Sequence, residues 1–69
     1  MKIEFDKEAD ALCIEFSSKE FAKNKKIDDS TIIDLDKECN IIGIELLNVS
    51  KNLPKEALTD INVKNLMAA

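Results

Sequence analysis

The sequence predicts an α+β domain: a small antiparallel sheet, a meander of about four or five strands, with a C-terminal helix packed on one face. Two patterns carry this reading. Apolar residues alternate with polar ones over most of residues 2–48, the period of a half-buried strand. After Pro54 that period gives way to helical spacing. With 69 residues, no repeat and no linker, the chain is one domain, 1–69, with its sheet at 2–48 and a helical segment at 53–69.

Lys2-Ile3-Glu4-Phe5 opens the alternation, and Leu12-Cys13-Ile14-Glu15-Phe16 resumes it with Leu12, Ile14 and Phe16 on one side. Between them Asp6-Lys7-Glu8-Ala9-Asp10 is a polar connector suited to a hairpin. Ser17-Ser18-Lys19-Glu20 turns the chain into Phe21–Ile27, a third strand whose Lys23, Lys25 and Lys26 suit an edge that resists pairing with other chains. Asp28-Asp29-Ser30 turns it again. Thr31–Asp36 is a β-branched strand with Ile33 and Leu35 inward. Lys37-Glu38-Cys39-Asn40 is a tight turn in which Cys39 or Asn40 takes the left-handed region.

Ile41–Leu47 is the most apolar stretch, with apolar residues at both parities, so it is read as a central strand or one covered on both sides. Gly43, the only glycine, marks a bulge or a close backbone approach. Pro54 suits a first helical position, and a short helix over 54–59 would bring Leu53, Ala57 and Leu58 together with Leu47 and Val49 on the sheet. Val63, Leu66 and Met67 continue at helical spacing, which favours helix over a final strand in the tail.

Three blocks resemble a known family. Phe5-Asp6-Lys7-Glu8-Ala9-Asp10-Ala11-Leu12-Cys13-Ile14-Glu15-Phe16 resembles the opening of the small prokaryotic family catalogued as domain of unknown function 2283. Ile27-Asp28-Asp29 with Ile32–Asp36 is similar to its middle, and Asn40–Ser50 to its last strand and following turn. The chain departs from the family pattern at Phe5 and Cys13, where tyrosine is usual, at Ser30 and Cys39, where glycine is usual, and at Asn48, where an acid is usual. The resemblance implies a small sheet-rich domain and carries no activity with it.

Composition narrows the function. The chain has no His, its ten basic residues are all Lys, and its net charge is −4. Without His there is no group that titrates near neutrality unperturbed and no His-based triad. Without Arg there is no planar fork for phosphate or guanine. An acidic chain with three Phe and neither Trp nor Tyr also lacks the basic field and stacking surface of a nucleic-acid binder. No apolar run reaches the roughly 18–20 residues of a membrane span. Acids stand where a signal peptide would be apolar, and Cys13 and Cys39 form no CxxC pair, so the expected location is the cytoplasm.

Few constellations remain. Asp6-x-Glu8-x-Asp10 has the alternating oxygens of half a calcium loop, but Ala11 and Ser17 stand where glycine and a bidentate glutamate are needed, so it reads as a solvated turn. Asp34, Asp36 and Glu45 form an outward acidic face, a solvated surface unless a cleft pairs two of them as acid and base. Cys13 reads as a small hydrophobe and Cys39 as an exposed turn residue.

Ile32, Ile41 and Leu47 are the expected interaction surface, provided that the chain's own C-terminal segment does not cover them. The resulting expectation is a non-enzymatic module, with no cofactor, that binds a protein partner or a second copy as a homodimer. Its antitoxin-like form is suggested only by the family's small size and prokaryotic setting. The alternative is a carboxylate-based metal-binding or hydrolytic domain.

Overall fold

The computed structural model describes residues 1–64 and 67. Five strands, β1 (Lys2–Asp6), β2 (Ala11–Glu15), β3 (Lys23–Asp28), β4 (Thr31–Leu35) and β5 (Ile41–Leu47), are followed by a helix, α1 (Val49–Asn52), and a 3-10 turn at Lys55–Leu58. All strands pair antiparallel in one sheet of order β1-β2-β5-β4-β3. The fold is α+β with a C-terminal helix.

Two hairpins, β1–β2 and β3–β4, are joined through β5, which bonds to both. The order therefore departs from a simple sequential meander between β2 and β3, which lie three strand positions apart. Residues 16–22 bridge that gap of about 14 Å. They run along the sheet end, with the Phe16 and Ser17 N–H groups donating to Ile42 O at 2.8 and 3.3 Å and Ala22 N–H donating to Leu35 O at 2.9 Å. The lysine-rich β3 is an edge strand with every residue exposed.

Gly43 lies where β5 passes close against the β2 backbone. A Cβ there would stand 2.9 Å from the Ile14 carbonyl oxygen, a backbone atom that cannot swing aside. One position along, the β4–β5 register slips: Asp34 faces Gly43 but Leu35 faces Ile41, so Ile42 is an extra residue in β5. Of the residues expected in the β4–β5 turn to be left-handed, Cys39 is the one, at φ 65°; Asp10 and Asn48 share that conformation.

The helix starts earlier than Pro54. Its N-terminal residue, Val49, is 1% exposed, and two separate turns hold the helix against the sheet's end. Val49 N–H donates to Asp10 O at 3.1 Å, while Ser50 N–H and Oγ–H donate to the Asp10 carboxylate at 3.1 and 2.7 Å. Asn48 supplies no side-chain cap, so Asp10 performs that role from forty residues away. At the far end Asn52 Nδ2–H donates to Ser30 Oγ at 3.2 Å, and Leu47 N–H donates to Ser30 O at 2.8 Å. The turns of both hairpins are thus fastened to one short helix.

The segment expected to be helical from Pro54 to Thr59 forms the 3-10 turn, with Leu53 and Leu58 half-buried and Ala57 exposed. Residues 60–64 have no regular structure, and Ile61 and Val63 are exposed. The remainder of the expected tail helix, at Asn65, Leu66, Ala68 and Ala69, lies outside the described residues.

Two substitutions test this account by urea denaturation. Gly43→Ala forces a methyl group against the Ile14 carbonyl and is expected to cost about 1–3 kcal/mol. Asp10→Ala removes the distant cap and is expected to cost about 0.5–2 kcal/mol. An unchanged midpoint for Gly43→Ala would mean that β2 and β5 are not so closely apposed.

Candidate functional site

Strand register sorts the side chains onto two faces, because directly paired residues in an antiparallel sheet point the same way. One row across the sheet reads Ile3, Ile14, Ile44, Ile33, Lys25; another reads Phe5, Leu12, Leu46, Thr31, Asp28. The intervening row reads Glu4, Cys13, Glu45, Ile32, Lys26, and the next Lys2, Glu15, Gly43, Asp34, Asn24. One face is therefore apolar, with charges only at its β3 edge (Lys23, Lys25 and Asp28), and the other carries the remaining strand acids.

No described helix or strand forms a second layer over either face. Among the described residues, every extensive contact between elements joins neighbouring strands. Only Ala11, Ile42 and Val49 are buried apolar residues among those described. Ile44, at the centre of the sheet with Ile14 and Ile33 beside it, is only half-buried, while Phe5 is 45% and Ile41 53% exposed. A central isoleucine under a covering layer would be buried, so this apolar face is open.

The expected interaction trio is divided between the faces. Ile32 and Leu47 lie on the acidic face, two residues apart in register around Glu45. Ile41 is carried to the apolar face by the extra residue in β5, where it lines a shallow groove with Ile27, Ile33 and Leu35. The larger surface belongs to Ile3, Leu12, Ile14, Ile33, Ile44 and Leu46, the residues that the alternation marks as inward-facing.

The acidic trio divides as well. Asp34 and Glu45 are diagonal neighbours on β4 and β5. Asp34 Oδ1 is buried with no hydrogen-bond partner, and hydrogen bonding to Asp34, then burial, holds the Glu45 carboxyl above its usual range. Asp36 does not join them. It is 3% exposed and organises the β4–β5 turn. Its Oδ1 accepts the N–H groups of Glu38 and Asn40 at 2.9 Å each, and its Oδ2 accepts Asn40 Nδ2–H at 3.1 Å. These donors, chiefly the Asn40 N–H, hold its carboxyl below the usual range.

Cys13 shares the acidic face. Burial first, and the Glu45 and Asp34 carboxylates next, push its thiol up, away from a reactive thiolate. Both cysteines are free. In the Asp6–Asp10 turn, Asp6 Oδ1 accepts Ala9 N–H at 3.1 Å, whereas Asp10 is spent on the helix. Among the described residues no group of three or more His, Cys, Asp or Glu side chains is placed to hold a metal ion, and no helix is long and apolar enough to cross a membrane.

A family model described as Protein of unknown function (DUF2283) matches residues 2–50, and the chain belongs to that family. No curated protein and no solved structure matches the chain.

The carboxyl assignments predict opposite pH responses in urea midpoints. The folded-state pKa of Glu45 is raised above 4.5, so its ionisation costs stability as pH rises through that raised value. Glu45→Gln is expected to be more stable than the parent at pH 7, and the gain to vanish below pH 4.5. The folded-state pKa of Asp36 is depressed below 3.8, so it stabilises above that pH and the contribution is lost as pH falls through the depressed value. Asp36→Asn is expected to weaken the fold at pH 7, with the deficit closing in strong acid. A Glu45→Gln midpoint that is lower at pH 7 would refute the carboxyl pairing.

Proposed function

We propose that this DUF2283 family member is a non-enzymatic protein-interaction module that works through the apolar face of its sheet. The observation that supports this is the half-buried Ile44 at the sheet centre, surrounded by Ile14, Ile33 and Leu46, with no described helix or strand above it. Covering such a face contributes about 25 cal/mol per Å² of apolar area removed from water. Three buried apolar side chains among the described residues are a thin core for any domain.

The chemistry of the side chains favours the same reading. A hydrolytic site would need an activated nucleophile or a base poised near neutrality, and the chain has no His. Asp34 and Glu45 form one close carboxyl pair, without a third ligand among the described residues for a metal. The raised thiol of Cys13 also argues against covalent catalysis. The working location consistent with this reading is the cytoplasm, where both free cysteines remain reduced.

The test is site-specific photo-crosslinking in cells producing the protein, with the reactive amino acid placed at position 44 or at position 45. These neighbours point to opposite faces. Adducts with a polypeptide are expected from position 44 and not from position 45. Equal yields from the two, or none from 44, would sink the proposal.

A further inference from the structure

Resting on that interaction reading, we infer that the occupant of the apolar face is a second copy of this chain, packed face to face as a two-layer β-sandwich. Three observations lead there: the size of the face, the placement of charge on it, and the thinness of the core beneath it.

The size is sufficient. Five strands at about 4.8 Å spacing and about six residues at 3.4 Å each make a face of about 24 by 20 Å, or about 500 Å² in plan. Two such faces bury about 1,000 Å² before side-chain relief is added, which reaches what a specific interface requires. Sheets stacked in this way stand about 10 Å apart and interdigitate branched aliphatic side chains. Ile14, Ile33, Ile44 and Leu46 supply these from the middle of each copy.

Charge permits it. A chain of net charge −4 repels its own copy unless its acids point elsewhere. Glu4, Glu15, Asp34 and Glu45 all lie on the opposite face. The apolar face carries strand charges at Lys23, Lys25 and Asp28, all on the edge strand β3, where the lysine stems extend the apolar surface and the charged groups remain in water. Asp28, the one strand acid on this side, lies at the end of that edge strand, so no charge is buried at the centre.

The core requires a cover, and a two-fold pairing supplies it to both copies at once, since the same patch serves each partner. The side of the sheet that alternation builds as a core face then becomes one, with Ile44 closed off from solvent. Folding and association become a single step, as in homodimers that have no stable folded monomer.

Light scattering on the purified chain, with urea denaturation at several concentrations, tests this. Twice the chain mass is expected, with a urea midpoint that rises at each tenfold increase in concentration. Crosslinks from position 44 are expected to join two copies, whereas an edge-to-edge dimer would place position 44 two strands from its partner and leave it unlinked. Ile44→Lys is expected to abolish the dimer; should that variant not fold, the concentration dependence of the parent protein still decides. A folded monomer at all concentrations would overturn the homodimer, and so would a dimer that crosslinks only through β1 or β3. If such a monomer still forms adducts from position 44 with another protein in cells, the interaction reading survives and only the second-copy inference falls.

Discussion

The fold depends on β5 having a partner on each side. Without it the chain is two separate hairpins, and an isolated two-stranded hairpin is at best marginal in water. With it, the ladders β2–β5 and β4–β5 join the hairpins into one sheet, and the last strand made in the sequence becomes its centre. That position sets the local demands on β5. Gly43 lets the backbone pass the Ile14 carbonyl, and the extra residue at Ile42 absorbs the mismatch with the shorter β4. The helix then locks the arrangement at one end, because Asp10 and Ser30 belong to different hairpins and both bond to it or to its flank.

A single layer built in this way has a consequence for function. Alternation along each strand, kept in register across five strands, concentrates aliphatic residues on one face and carboxyls on the other. Among its described residues the chain returns no long helix across the aliphatic face. The helix it does form spans Val49–Asn52 and sits at the sheet's end. What remains is a hydrophobic surface with the composition of half a core, backed by a face that carries most of the strand carboxyls. Solubility and association are thereby assigned to opposite sides of one thin object.

Much of this was legible in the residues. The alternation marked about four or five strands, and the lysines of residues 23–26 suited an edge. The apolar content of Ile41–Leu47 marked a strand either central or covered on both sides, which the sheet makes central with those bounds. The resemblance to the DUF2283 family matched the segment that the family model covers, residues 2–50. The interaction surface was less legible. Ile32, Ile41 and Leu47 were grouped by simple alternation, and one extra residue in β5 moves Ile41 to the other side. Asp36 follows the parity of Asp34, yet the turn bends it inward as the acceptor of Asn40 and Glu38 N–H groups. Asp10 resembles its neighbours in an acidic turn, and nothing local signals that it caps a helix forty residues later.

Period, turn chemistry and composition are local properties, so the residues alone settled the class of fold, the strand segments, the need for Gly43 and the absence of His and Arg chemistry. Strand order, the placement of each carboxyl and the openness of the apolar face depend on which distant segments pair. Those pairings follow from competition among all the strands for hydrogen-bonded neighbours, and no window of sequence contains that competition. The alternation specified a face meant for burial; the assembled sheet revealed that the described chain leaves it open.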